Sequence, residues 1–205
     1  MGQRIALIDY GAGNLHSVAN ALKAAGAGTV EITARAAIVA TADRIVLPGV
    51  GAFGACAAAL RALPDMIETM NVRVLGQGVP FLGICVGMQL MAERGLERGS
   101  HAGLGWVRGE VARLTPADPA AKVPHMGWND VAPVTPHPLI APGEAYFLHG
   151  YGFTGSDVVA VSDHGGPVAA AIGRANMLGV QFHPEKSQRY GLALLERFLA
   201  WRPKG

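Results

Sequence analysis

Apolar residues along the chain fall into short, β-branched runs: Ile5 to Ile8, Val30 to Ile32, Ile45 to Leu47 and Val79 to Ile84. Between several of them lie Ala- and Leu-rich stretches of helical length, Ser17 to Ala25 and Phe53 to Leu63. Strand alternating with helix predicts a parallel sheet covered on both faces. From about Val107 the texture changes to strands without intervening helices: Val111 to Leu114, Val131 to Val134, Tyr146 to Leu148, Val158 to Val161, Val168 to Ile172 and Leu178 to Phe182. Turn signals such as Pro136-His137-Pro138 and Gly165-Gly166-Pro167 separate them, and a helix from about Ser187 to Trp201 closes the chain. The pattern therefore predicts an α/β fold, with a mostly parallel central sheet flanked by helices and an additional antiparallel section in the C-terminal half.

Length agrees with one domain spanning 1–205, and at 50% hydrophobic residues the chain can bury one sizeable core. Internal repeats and low-complexity tracts are absent. The formal net charge is only +2, with Lys and Arg scattered singly, so no basic stripe is available to hold nucleic acid or an anionic membrane. No apolar stretch approaches the roughly 20 residues of a membrane span, and the N-terminal run is too short for a secretion signal. Two cysteines, Cys56 and Cys85, belong to no CxxC pair and suit free thiols in a reducing cytoplasm. The seven histidines lack metal-ligand spacing, so neither a metal nor a cofactor is expected.

Candidate chemistry centres on Gly83-Ile84-Cys85-Val86-Gly87, between the run Val79 to Ile84 and the apolar stretch Met88 to Met91. That is a nucleophile elbow with Cys where hydrolases place Ser: glycines on both sides permit a tight strand-to-helix turn that exposes the side chain. Backbone N–H groups at a helix start favour thiolate over thiol. An ordinary cysteine packs as a small hydrophobe, and the elbow is what sets Cys85 apart. His183-Pro184-Glu185 offers the proton acceptor a thiol nucleophile needs. Pro184 biases His183 toward extended geometry, in which residues two apart project to the same side, so the Glu185 carboxylate reaches the imidazole.

Gly49-Val50-Gly51-Ala52-Phe53-Gly54 satisfies the G-x-G-x-x-G dinucleotide pattern, which would make the chain a non-catalytic nucleotide-binding module. No acid stands at the end of a following strand, however, and Pro48 intrudes before the first glycine. A backbone loop whose N–H groups face a developing oxyanion is the better use of Pro48 to Gly51. Gly11-Ala12-Gly13-Asn14 reads as a plain turn.

Taken together, Pro48-Gly49-Val50-Gly51, Gly83-Ile84-Cys85-Val86-Gly87-Met88-Gln89 and Phe182-His183-Pro184-Glu185-Lys186-Ser187 resemble the class I, triad-type glutamine amidotransferases. Within that family, Ile8 to Asn14, Pro124-His125-Met126-Gly127-Trp128-Asn129 and Glu185 to Gln188 look most like the glutaminase subunits that serve a cyclase in histidine biosynthesis. A glutaminase serving another synthase, such as the pyridoxal phosphate one, is the alternative. The resemblance implies that Cys85 attacks the carboxamide of L-glutamine to give a thioester, while His183 relays protons and Glu185 orients it. It implies an oxyanion hole from the N–H groups of Val50 and Val86, and glutamine contacts from Gly49, Gly51, Gln89, Glu97, Gly150 and Tyr151. At Gly150 the family pattern leads one to expect Ser or Thr. The implied partner is a (βα)8-barrel cyclase subunit in a heterodimer, which receives ammonia for a phosphoribulosyl precursor; His125, Met126, Trp128 and Lys186 are the candidate contact surface.

Overall fold

The computed structural model describes residues 2–203. Its elements in chain order are β1 (Arg4–Ile8), α1 (Leu15–Ala24), β2 (Thr29–Thr33), α2 (Ala36–Val39), β3 (Arg44–Leu47), α3 (Phe53–Ala62), α4 (Met66–Met70), β4 (Phe81–Ile84), α5 (Val86–Gln89), β5 (Arg94–Gly95), β6 (His101–Ala102), β7 (Gly109–Arg113), β8 (His125–Pro133), β9 (Gly143–His149), β10 (Tyr151–Gly155), β11 (Val158–Asp163), β12 (Pro167–Arg174), β13 (Met177–Val180) and α6 (Gln188–Ala200).

Nine strands form one sheet in the order β2-β1-β3-β4-β13-β12-β11-β8-β9. From β2 to β13 the pairs are parallel, and from β13 to β9 they are antiparallel. Hydrophobicity explains the placement. Every residue of β3, β4 and β13 is buried, as suits strands covered on both faces, whereas β2 alternates toward solvent and takes the edge. The helices bury one stripe each: Phe53, Cys56, Ala57 and Leu60 in α3, and Gly191, Leu194, Leu195 and Phe198 in α6. A smaller sheet, β10-β7-β5-β6, lies beside the large one.

The chain leaves β1 for β2 on one side and returns to β3 on the other. With right-handed crossovers this reversal opens a crevice beyond the carboxyl ends of β1, β3 and β4, where open α/β sheets bind ligands. Tyr10, Pro48 to Gly51 and Cys85 all follow those ends.

Three expectations need correction. Val79 and Pro80 precede β4, which starts at Phe81. Strand β8 begins at His125, well before Val131, and pairs residue for residue with β9; Gly127 and Asn129 break the apolar alternation that would have revealed it. The run Leu178 to Phe182, read with the antiparallel section, instead supplies β13, which pairs parallel with β4 at the sheet centre. Strands β5, β6 and β10 carry too few apolar residues to have stood out.

Candidate active site

Cys85 sits at φ 53° and ψ −113°, a region that a side chain enters only when the surroundings enforce it. Its N–H donates to the Val180 carbonyl (2.8 Å) and its carbonyl accepts from Gln89 N–H (3.1 Å), so the turn is held from both ends. Gly87 is required by close approach: a Cβ there would fall on the Leu47 carbonyl oxygen. The elbow thus exists because β3 and β4 lie side by side, and it aims the sulfur into the crevice.

Around the sulfur stand the Gln181 side-chain amide at 3.7 Å and the Leu148 carbonyl at 4.0 Å, and the His183 imidazole lines the same cavity. His183 Nδ1 donates to Glu185 Oε1 at 2.8 Å, which leaves Nε2 for the sulfur. Residue His183 is extended (φ −99°, ψ 99°), as Pro184 predicts, but Pro184–Lys186 winds into a 3-10 turn. The carboxylate therefore reaches the ring across a tight turn and not along an extended strand. Ser187 locks that turn: its hydroxyl donates to the His183 carbonyl (2.7 Å) and accepts from Tyr146 N–H (3.0 Å). Burial disfavours the imidazolium, yet the interactions with Cys85 and Glu185 outweigh it and lift His183 to about 9. The pair is thus suited to hold the proton that a thiol gives up, and the resulting imidazolium is the neighbour an ionised sulfur needs.

The loop after β3 is gripped at two carbonyls. Tyr10 Oη donates to Pro48 O at 2.7 Å and the Cys56 thiol donates to Val50 O at 3.3 Å. Between these anchors the Gly49 carbonyl accepts from Val86 N–H at 3.4 Å. A trans peptide points its C=O and N–H in opposite directions, so the Val50 N–H is turned away from Val86. Gly49 admits no side chain, since a Cβ would stand 2.5 Å from Tyr10 Oη and 2.8 Å from Gly87 N.

A cavity of about 330 Å³ connects these groups. Val50, Gly51, Cys85, Val86, Gln89, Glu97, Gly150, Tyr151, His183 and Lys186, all singled out from the sequence, line it. Glu185 stands behind His183 with its side chain only 2% exposed, and Gly49, within the loop, packs against Tyr10, Val86 and Gly87 and does not line the cavity. Gln89 gives its amide N–H groups to Tyr151 O and Gln181 Oε1, both at 3.0 Å, so the acceptor Oε1 is what it can offer a ligand. Glu97 accepts from Phe53 N–H (2.9 Å), which places an acid at the start of α3, where a dinucleotide would need to set its pyrophosphate. Gly150 has its carbonyl engaged by Leu114 N–H (3.0 Å), so its own N–H is the group left to offer; a Cβ there would touch only Val123, so the missing Ser or Thr reflects no lack of room. A second cavity, of about 290 Å³, lies beside Arg113 to Ala117 and holds no thiol.

Of the four surface candidates, Met126 (66% exposed) and Trp128 (48%) face outward on β8, while Lys186 reaches over the Tyr146 ring. His125 does not belong with them: it is 3% exposed and stacks on Phe147, because strand alternation turns it to the opposite face from Met126. Sequence reasoning missed Pro124, Leu148 and His149 on the cavity wall and Gln181 buried beside the Cys85 sulfur. Gln181 carried a readable signal, a lone polar residue in the apolar run Leu178 to Phe182 and two positions before His183; the structure buries it completely.

The profile of the family described as Glutamine amidotransferase class-I matches residues 6–201. The chain is 58% identical over 205 residues to "Imidazole glycerol phosphate synthase subunit HisH" of Zymomonas mobilis, covering 97% of this chain and 96% of that one. It is 51% identical over 213 residues to the protein of the same name from Caulobacter vibrioides, covering 98% and 100%. A solved glutamine amidotransferase superposes with a TM-score of 0.74 at 16% identity, over 96% of this chain and 97% of that one, which speaks for the fold alone. The structure of PurLQS from Thermotoga maritima does so at 0.72 and 17%, over 98% and 99%. With the family profile spanning nearly the whole length and relatives matched end to end, the chain belongs to the class-I glutamine amidotransferases.

Proposed function

We propose that this chain is the glutamine-hydrolysing subunit of an imidazole glycerol phosphate synthase, and that Cys85, His183 and Glu185 are its catalytic triad. The observation that carries the residue assignment is the convergence of the strained Cys85 elbow and the His183–Glu185 pair on one cavity. The relatives matched end to end, which are imidazole glycerol phosphate synthase subunits, support the acceptor reaction and favour it over a pyridoxal phosphate synthase.

In this reading the Cys85 proton passes to His183 and the sulfur attacks the carboxamide carbon of L-glutamine. The tetrahedral oxyanion collapses, His183 protonates the departing nitrogen, and ammonia leaves behind a thioester. Water then attacks with His183 as base, the carbon–sulfur bond breaks, and glutamate is released. Glu185 holds the ring with Nδ1–H directed at its carboxylate. The Gln89 and Glu97 oxygens and the Gly51, Gly150 and Tyr151 backbone hold the amino-acid end of the substrate.

The oxyanion hole of this scheme is closed at rest. Gly49 O occupies Val86 N–H, and the second donor, Val50 N–H, faces away. One turn of the Gly49–Val50 peptide frees the first and delivers the second, and the partner subunit supplies the reason to turn it. We place that partner, a (βα)8-barrel cyclase in a heterodimer, on the outward face of the β8–β9 hairpin. There Met126 pairs with Leu148 and Trp128 with Tyr146, and exposed Leu148 and Val50 also border the cavity. Among the described residues no helix is long and apolar enough to cross a membrane, and both cysteines are free thiols, which suits a cytoplasmic complex.

The test is covalent. A diazo-ketone analogue of glutamine should label the peptide containing Cys85 and not the one containing Cys56, in the complex with cyclase subunit and acceptor present. Protection of Cys85 by glutamine is expected; an unlabelled Cys85 in an active complex overturns the triad.

A further inference from the structure

Gln181 is completely buried immediately after β13, and its side-chain nitrogen lies 3.7 Å from Cys85 Sγ. The orientation of that amide is fixed by its neighbours. The Tyr151 carbonyl can only accept, so the Gln89 group beside it, at 3.0 Å, is the NH2. The same NH2 lies 3.0 Å from Gln181, which must present its oxygen there. The remaining end of Gln181, its own NH2, is thereby directed at the sulfur. A backbone carbonyl thus dictates, through two glutamine side chains, that the reactive sulfur meets an N–H donor and not an acceptor.

We propose that Gln181 is a further catalytic residue, a fixed donor that stabilises the negative charge on Cys85 sulfur when it forms before attack and when it leaves from the thioester. Gln181 exchanges no proton; the proton shuttles between sulfur, His183 and the departing nitrogen as above. The donor acts when the sulfur is anionic and loses most of its worth when the sulfur is bound to acyl carbon, so it favours both the start of acylation and the end of deacylation. A donor to a charged acceptor contributes about ten-fold or more in the population of the charged form. Its neighbour Gln89 lines the substrate cavity, so the element that meets glutamine also sets the donor on the nucleophile.

This inference rests on Cys85 being the nucleophile, and the test separates the two. In the full-length complex, the rate at which iodoacetamide alkylates Cys85 is followed by peptide mass spectrometry across pH, with no glutamine present. Gln181→Met keeps the volume and removes the donor. It should lower the alkylation rate near neutral pH about ten-fold and move the profile to the alkaline side, with kcat for glutamine hydrolysis falling while KM changes little. Gln89→Leu, which frees the Gln181 amide to turn over, should shift the profile the same way by less. Ammonium-dependent synthesis confirms that each variant complex is assembled. If Gln181→Met does not assemble, Gln181→Glu, which keeps the shape, should show the same loss. An assembled variant lacking the amide whose alkylation profile matches the wild type overturns the role of Gln181. Failure of the wild-type Cys85 to take the diazo-ketone label overturns the nucleophile itself.

Discussion

The backbone N–H of Val86 donates to the carbonyl oxygen of Gly49 at 3.4 Å, so one of the two donors of the proposed oxyanion hole is already occupied. Turning the Gly49–Val50 peptide changes ψ of Gly49 and φ of Val50, and a β-branched residue resists the positive φ that glycine accepts. Val50→Gly should therefore raise the partner-free glutaminase rate and weaken its stimulation by the acceptor ligand. One oxyanion donor is worth on the order of 10² to 10³ in kcat, which bounds the gain. Steady-state glutamate release by the isolated chain measures it. If the wild-type chain alone matches the ligand-bound complex, the gating idea is wrong.

His183 and Glu185 should differ in what their loss costs. In the proposed triad the base carries the proton, whereas the acid, 2.8 Å from the ring, only orients it and supports its positive charge. Single-turnover glutamine hydrolysis should fall further in His183→Ala than in Glu185→Gln, and the Glu185→Gln ring should titrate below the wild-type value of about 9. A fully active His183→Ala enzyme removes the residue from the mechanism.

Three other histidines make the fold acid-sensitive. Burial holds His137, and burial with neighbouring imidazoles holds His125 and His149, at about 4, below the ordinary 6.5. Their ring nitrogens are engaged as neutral groups: His149 Nδ1 meets Tyr151 O at 2.9 Å, His125 Nδ1 meets His149 Nε2 at 3.1 Å, and Leu139 N–H donates to His137 Nδ1 at 3.2 Å. A folded value below the unfolded one means stability that is fully present above 6.5 and is lost as pH falls toward 4. The melting temperature should drop through that window, and His137→Gln should flatten the drop. A wild-type melting temperature that holds steady there contradicts the assignment.

Trp128 is half exposed and packs edge-on to Tyr146 at 6.2 Å, on the hairpin face that borders the cavity. Exposed aromatics of this kind dominate interface energies, so Trp128→Ala should weaken assembly with the cyclase subunit about ten-fold or more, with little change in the chain's own melting temperature. Titration calorimetry of wild type and variant decides it; equal affinities exclude Trp128 from the interface.

The parallel half was legible because β1, β3 and β4 are short apolar runs punctuated by helices, and Cys85 because glycines flank it at the junction of one such run. What stayed hidden depended on contacts distant in sequence. The pairing of Val86 with Gly49 needs β3 beside β4, and the direction of the Gln181 amide is set by Tyr151, thirty residues away along the chain. His125 was misplaced on the surface because Gly127 and Asn129 obscure the alternation of β8, which in the structure turns His125 inward and Met126 and Trp128 outward.

The central claim is that Cys85 makes ammonia for chemistry on another polypeptide, and one variant separates the two halves of it. In the reconstituted complex, Cys85→Ala should abolish synthesis from glutamine while leaving synthesis from ammonium salts at the wild-type rate. Retained glutamine-dependent synthesis, or loss of the ammonium-dependent reaction in a complex that still assembles, would contradict the account.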